Sequence, residues 1–201
     1  IPEKRRVLRA RKSKADLMIS SHADAVRRRN VEGASVYTLS ERGATKDKAA
    51  RALAAKEKAA DEIGGVEIEQ VDDPMVNMIL GDMFRRDSLN SSQILAESII
   101  GKMRKAGPIK YATPKRARFV VLGAMEIPSV LVELDYISNP TREKKLKSKS
   151  HQKKLASALF GATMNFFEKM GRIKQPDGQA KQAQKSGSMT DQQLAANSPT
   201  L

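Results

Sequence analysis

Two side chains are the main candidates for chemistry, because each accompanies an apolar segment that is typical of a buried strand. His22 follows the apolar run at residues 15–20, and Glu133 lies inside the apolar run at residues 129–134. Active sites of open α/β sheets gather at the carboxyl ends of strands. A carboxylate inside a core strand is costly to bury unless it is paired, bound to a ligand or catalytic. His22 is therefore a candidate metal ligand, and Glu133 is a candidate catalytic group.

Each of these residues also has a structural interpretation. A histidine at the end of a strand is often a hydrogen-bonded structural residue, and Glu133 has 37 lysine and arginine side chains as potential ion-pair partners. The second histidine of the chain, His151, lies in a basic run, for which a solvated helix face is the simplest interpretation. Spacing alone does not decide between the structural and the functional interpretation.

The elements that would position these residues alternate between short apolar strands and helices. Strands are predicted at residues 15–20, 35–39, 119–122 and 129–134, and helices at residues 3–13, 45–63 and 150–170. Asn139 can cap a further helix that has Pro140 at its first position, and Gly171 ends the last helix. This order predicts an α/β fold with a mostly parallel, twisted sheet flanked by helices.

Residues 66–106 interrupt this alternation and are predicted to form a helical insertion that opens with an acidic patch. Its first helix carries two apolar series at i, i+4 spacing: Met75, Ile79 and Met83, and Val76, Leu80 and Phe84. A helix that is apolar on two adjacent faces has to bury more than one side. Asp87 and Ser88 are predicted to end this helix before a second amphipathic helix begins.

Composition limits the classes of partner. The net charge of +14 indicates a polyanionic partner, or a basic surface without a dedicated partner. A nucleic-acid partner is not expected, because the chain shows neither a recognisable module nor clustered aromatic and basic residues. No apolar run approaches the roughly 20 residues of a membrane span, and without cysteine there is no thiolate metal site. Residues 172–201 have the composition of a disordered tail.

Four segments, at residues 15–25, 33–45, 53–66 and 127–140, together resemble the amidase-3 family of N-acetylmuramoyl-L-alanine amidases. The first contains Ser-His-Ala-Asp-Ala at residues 21–25, and the second begins with Gly-Ala-Ser-Val-Tyr at residue 33. The last contains Ile-Pro-Ser-Val-Leu-Val-Glu at residues 127–133. The segments occur in the order of the family, and the resemblance covers all of the chain except the tail.

The resemblance implies that the intact protein binds one Zn²⁺ per chain through two histidines and one glutamate. His22 corresponds to the second histidine, whereas the first histidine and the glutamate belong to motifs that would precede residue 1. Residues 1–171 are therefore expected to be the C-terminal part of a catalytic domain that is inactive alone. Glu133 corresponds to the catalytic carboxylate of the family.

The implied reaction is hydrolysis of the amide bond between N-acetylmuramic acid and L-alanine in peptidoglycan. It would serve cell-wall remodelling and daughter-cell separation in the periplasm of a Gram-negative bacterium. The insertion resembles the regulatory segment of division-associated members, in which a helix covers the zinc site until an activator with a LytM-type domain displaces it. A permanently packed helical hairpin is the alternative for this segment.

Asp135 departs from the family pattern, which usually has a small residue there. If the strand continues past Glu133, the two carboxylates share one face, and Asp135 would make Glu133 harder to ionise. This departure leaves open a catalytically degenerate homologue, which would bind peptidoglycan or a divisome activator without cleaving.

Overall fold

The computed structural model of the chain describes residues 2–40, 48–63 and 80–173. The predictions for Met75, Val76 and Ile79, and for the tail from residue 174 onward, lie outside the described residues. The elements in chain order are α1 (Glu3–Lys12), β1 (Met18–Asp24), β2 (Ser35–Leu39), α2 (Lys48–Ile63), α3 (Leu80–Met103), β3 (Lys115–Ala117), β4 (Ser129–Tyr136), α4 (Pro140–Lys147) and α5 (Lys149–Lys169). Leu80, Met83 and Phe84 belong to the first turns of α3, where the structure describes the backbone only.

The chain divides into two compact units. Residues 1–166 form the first unit, which contains the whole sheet, and residues 167–201 form the second. The described part of the second unit is the C-terminal end of α5 and the turn at Gly171, whose φ is +67°. This left-handed conformation favours glycine, so the predicted end of the last helix is confirmed. Among the described residues, no helix is both long and apolar enough to cross a membrane.

The sheet of the first unit has the strand order β1-β4-β2-β3. The β1–β4 and β2–β3 pairs are parallel, and the β2–β4 pair is antiparallel. The predicted α/β class is confirmed, with a mixed sheet in which two of the three described pairings are parallel. The central strand β4 is buried on both faces, and its residues Val130, Leu131 and Val132 have no solvent exposure. Such a continuous apolar run is typical of a strand whose two faces are covered.

The parallel pairing of β1 with β4 places His22 directly opposite Glu133. The strand prediction at residues 15–20 began and ended too early, because β1 spans Met18–Asp24 and includes His22. A register irregularity lies between His22 and Asp24. Such a bulge re-aims the side chains beside it, and here it occurs at the point where the two candidate residues meet.

The strand predicted at residues 119–122 is wrong. Residues Val120–Leu122 form a short 3-10 helix, in which Val121 and Leu122 are buried. An apolar run this short does not distinguish a strand from a buried turn of helix. The fourth strand of the sheet is instead β3, whose sequence Lys-Arg-Ala gives no apolar signal.

The helix end predicted at Asp87 and Ser88 is also wrong, because α3 continues through both residues. The Ser92 hydroxyl donates a hydrogen bond of 2.7 Å to the carbonyl oxygen of Ser88, one turn earlier. A hydroxyl bonded in this way remains compatible with the helix. The same hydroxyl accepts the backbone N–H of Ser129 at 2.8 Å and so ties α3 to the first residue of β4.

The predicted cap of α4 is confirmed. The Asn139 side chain accepts the backbone N–H groups of Thr141 and Arg142, and Pro140 lies at the first position of the helix. The cap turns the chain directly after β4 and brings Arg142 back against the strand, where it is buried.

Candidate metal centre

Three side chains from three elements meet at the carboxyl ends of β1 and β4. His22 of β1, Glu57 of α2 and Glu133 of β4 each offer one ligand atom, and these atoms all lie within 4.8 Å of one another. Glu133 has no solvent exposure, and the His22 and Glu57 side chains are 10% and 19% exposed. The structure therefore brings together the two residues singled out in the sequence and adds a third.

Glu57 is the strongest electrostatic partner of His22. Its Oε2 lies 3.3 Å from His22 Nδ1, and this hydrogen bond is the main reason why the pKa of His22 is raised above its usual value. Burial opposes that rise. The same bond lowers the pKa of Glu57, and these opposite shifts are what an ion pair between the two groups produces. On the other side of the ring, His22 Nε2 lies 2.8 Å from Ser20 Oγ and 3.2 Å from an Arg6 guanidinium nitrogen.

Glu133 is a buried carboxylate with one partnered and one unpartnered oxygen. Its Oε2 accepts the backbone N–H of Asp24 at 3.1 Å, while its buried Oε1 has no hydrogen-bond partner among the described residues. The pKa of Glu133 is raised to about 7, mainly by burial; the Asp24 and Glu57 carboxylates contribute to this rise, whereas His22 and the Asp24 N–H oppose it. A cation beside Oε1 would offset the cost of burying this charge.

Lys56 holds the middle of α2 against the end of β1. Its ammonium group binds the buried carboxylate of Asp24 and donates to the carbonyl oxygen of Ala25 at 2.8 Å. Because Glu57 is the next residue, this clamp brings the Glu57 carboxylate to His22. Neither Lys56 nor Glu57 received a role from the sequence. The available signal was a pair of charged residues next to each other in an alanine-rich helix, inside a segment that already resembled the family.

The donor set matches a divalent transition metal. Zn²⁺ accepts imidazole nitrogen and carboxylate oxygen, and the group supplies one imidazole and two carboxylates at compatible separations. The buried Oε1 of Glu133 is the kind of polar atom whose missing partner calls for an explanation such as an ion. These residues therefore fit a metal ion, and Glu133 is the most buried member of the group.

Asp135 is neutralised by a buried ion pair. Its Oδ2 lies 2.5 Å from both Nε and NH2 of Arg142, and its Oδ1 accepts the backbone N–H of Gly33 at 3.0 Å. A Cβ at position 33 would lie 2.9 Å from the backbone nitrogen of Lys110, and the φ of Gly33 is +95°. Only glycine therefore suits the close approach of the two backbone segments. The carboxylates that raise the pKa of Glu133 are those of Asp24 and Glu57. The ion pair with Arg142 explains why Asp135 is buried, and Asp135 needs no role in the metal centre.

We expect Asp135→Ala to destabilise the protein by about 3–5 kcal/mol, because it leaves the Arg142 guanidinium buried without its partner. The free energy of unfolding, measured in urea by circular dichroism, checks this. Glu143→Ala is the matched control, since it removes the exposed Glu143–Lys147 pair and should cost less than about 0.5 kcal/mol. Equal losses in the two variants would contradict a structural role for the buried pair.

Comparison with known proteins gives a consistent result. The family model for N-acetylmuramoyl-L-alanine amidase matches residues 1–165. The N-acetylmuramoyl-L-alanine amidase AmiC of Escherichia coli is 36% identical over 167 residues, which are 83% of this chain and 39% of that protein. The amidase AmiA of Salmonella typhimurium is 35% identical over 167 residues, which are 83% of this chain and 57% of that protein. The chain thus spans about two fifths to three fifths of the length of these relatives.

Solved structures show the same fold. The N-acetylmuramoyl-L-alanine amidase from Clostridium difficile superposes with a TM-score of 0.56 at 16% identity, over 84% of this chain and 66% of that chain. The amidase AmiC2 of Nostoc punctiforme gives a TM-score of 0.54 at 20% identity, over 84% of this chain and 67% of that chain.

Proposed function

The chain belongs to the N-acetylmuramoyl-L-alanine amidase family, whose model matches residues 1–165, and from this premise we propose that the full-length protein is a zinc-dependent peptidoglycan amidase. It would hydrolyse the amide bond between N-acetylmuramic acid and L-alanine. The observation that carries the proposal is the group of His22, Glu57 and Glu133 at two paired strand ends. The unpartnered, buried oxygen of Glu133 is the atom best suited to a reacting proton.

His22 is the proposed metal ligand of this chain. Glu57 acts through His22: a carboxylate that accepts the N–H of a ligating imidazole fixes the tautomer and orientation of the ring. The remaining histidine and glutamate ligands are proposed to come from a segment that precedes residue 1, and the 201 residues alone are then inactive. When bound, the Zn²⁺ supplies polarisation of the scissile carbonyl and acidification of water.

Glu133 is the proposed general base and acid. A base works best when its pKa lies near the operating pH, and burial holds the pKa of Glu133 at about 7. Its Oε1 accepts a proton from the attacking water and later donates that proton to the leaving nitrogen of L-alanine. The N–H of Asp24, bonded to Oε2, fixes the carboxylate so that Oε1 points away from the backbone.

The proposed location is the periplasm of a Gram-negative bacterium, in cell-wall remodelling and daughter-cell separation. Support comes from relatives in Escherichia coli and Salmonella typhimurium that are named as N-acetylmuramoyl-L-alanine amidases. The net charge of +14 suits work on an anionic wall polymer.

The product of the reaction tests the proposal. Full-length protein incubated with purified, dye-labelled sacculi should release stem peptides that begin with a free L-alanine amino group, as read by mass spectrometry. A chelator should stop the release, and added Zn²⁺ should restore it, whereas Mg²⁺ should not. Release of glycan fragments instead, or cleavage inside the stem peptide, would contradict the proposed bond.

We further propose that residues 74–86, which follow α2 in sequence and include the first turns of α3, restrain the site until a LytM-type activator binds them. The support is the two-faced apolar pattern of Met75, Val76, Ile79, Leu80, Met83 and Phe84. The segment also follows α2, the helix that carries Glu57. A flexible, Met-rich apolar surface suits both burial against its own domain and docking to a partner.

Leu80→Lys or Met83→Lys should raise basal hydrolysis of sacculi by the full-length protein about tenfold or more. Loss of about 1.4 kcal/mol of packing shifts a two-state equilibrium tenfold. The control is Asn90→Lys, which adds the same charge at an exposed position of α3. Folded variants with basal activity and activator response equal to wild type would show that the helix is ordinary core.

A further inference from the structure

A second concave site lies between the loop after α3 and the helices α4 and α5. This cavity measures about 310 Å³. Its polar lining consists of Arg142, Lys145, Ser148, Ser150, His151 and Lys154. Every residue that lines it belongs to the described part of the chain, and none is acidic.

The electrostatics of this cavity favour an anion. Asp135 balances the charge of Arg142, so Lys145 and Lys154 are the lining residues whose positive charge is available to a ligand. The half-exposed Glu32 lies 3.9 Å from Arg142. The first turn of α5 supplies Ser150 and His151 to the lining, and the amino end of a helix adds positive potential.

His151 provides independent evidence for a missing polar partner. The sequence suggested a solvated helix face, but the ring is partly buried and its Nε2 is fully buried without a hydrogen-bond partner among the described residues. Burial is the main cause that lowers the pKa of His151, and the neighbouring charges of Arg142, Lys145 and Lys154 also lower it. A neutral imidazole adds no negative charge to the lining of the cavity.

Gly107 keeps the cavity open. A Cβ at this position would lie 3.4 Å from NH2 of Arg142 and 3.9 Å from Cε1 of His151. The guanidinium edge and the imidazole therefore converge on a space that a side chain at position 107 would enter.

We propose that this cavity is an oxyanion subsite that binds a free carboxylate of the peptidoglycan stem peptide. The assignment rests on the proposed function. Through the Asp135–Arg142 pair, the cavity is tied to β4 two residues beyond Glu133, which is about 7 Å along the strand. An extended stem of three to five residues spans about 10–18 Å, which is longer than the stretch of β4 between Glu133 and Asp135.

Binding of a product peptide tests the subsite separately from catalysis. The probe is the tripeptide L-alanyl-D-glutamyl-meso-diaminopimelic acid, titrated into full-length protein by calorimetry. Lys145→Gln combined with Lys154→Gln should weaken binding about tenfold or more, because charged hydrogen bonds to the carboxylate are lost. The matched control combines Lys12→Gln with Lys102→Gln, two exposed lysines in the last turns of α1 and α3, and should stay within about twofold of wild type.

Two further probes distinguish the source of the anion. A tripeptide with its carboxylates converted to amides should bind wild type as weakly as the free acid binds the Lys145 and Lys154 double variant. A different result would overturn the stem assignment: the amidated and the free-acid tripeptide bind wild type equally, and inorganic phosphate binds wild type but not the double variant. The cavity would then be a site for free phosphate. Equal binding of the acid to wild type and the double variant also overturns it.

The failure of this inference is distinguishable from failure of the proposed function. If wild type releases no stem peptides from sacculi, the amidase proposal fails whatever the peptide affinities are. If wild type releases them, the double variant should have a higher KM for stems with free carboxylates and a kcat within about twofold of wild type. The lost contacts would stabilise the bound substrate and the transition state equally, so their removal changes KM only. A fall in kcat with unchanged KM would overturn a binding role for the cavity.

Discussion

Glu133→Gln should lower hydrolysis of sacculi by about 10²–10⁴-fold, the usual loss when a general base is removed. Glutamine keeps the size of the side chain but cannot accept the proton at Oε1. The zinc content and the circular dichroism spectrum should stay at wild-type values, because Oε2 and its bond to the N–H of Asp24 have a counterpart in the amide oxygen. Activity within about threefold of wild type would remove Glu133 from the catalytic role.

The pH profile gives a second measure of the same group. Glu133 must be ionised to accept a proton, so hydrolysis should rise with pH through the pKa of this carboxyl. Burial raises that pKa to about 7, and a divalent cation nearby lowers it, so the midpoint of the acid limb should lie at or below about 7. The limb should be absent from the residual activity of Glu133→Gln. An acid limb that persists unchanged in the residual activity of Glu133→Gln would contradict the assignment.

His22→Ala should abolish stoichiometric zinc binding by the full-length protein. Loss of a group that merely supports a ligand reduces affinity by about 10–100-fold, and loss of the ligand itself should exceed that. Elemental analysis after dialysis, with a competition titration for the affinity, provides the measurement. Glu57→Ala should reduce the zinc affinity by about 10–100-fold, because Glu57 acts on the metal only through His22.

The second histidine supplies the control for metal content. His151→Ala removes the other imidazole of this chain and should leave one zinc per chain in the intact protein. Equal zinc in the wild type and in His22→Ala would exclude His22 from the metal site. Equal losses in both histidine variants would point to a general loss of folding, which circular dichroism would reveal.

The parts of the fold that could be predicted from sequence have a local cause. The cap at Asn139 and Pro140 depends on neighbouring residues only, and β4 is a long apolar run that requires burial on both faces. The meeting of His22 with Glu133 was predictable because carboxyl ends of parallel strands share one edge of a sheet. The roles proposed for the two residues are still predictions.

What the sequence could not supply depends on partners that are distant along the chain. The turn at Val120–Leu122 is apolar because it is buried, and only packing distinguishes it from a strand. The position of Glu57 depends on the Lys56 contact with Asp24, which no periodicity encodes. Asp135 looked like a perturbing charge because its partner Arg142 lies on the following helix, beyond the strand motif.

The strand pairing that builds the site also sets the order in which it can appear during synthesis. Asp24 and Glu133 are separated by 109 residues in sequence, and β4 is the last strand of the sheet to emerge from the ribosome. Contacts between such distant segments form slowly. A nascent chain therefore cannot bring His22, Glu57 and Glu133 together until β4 has been made.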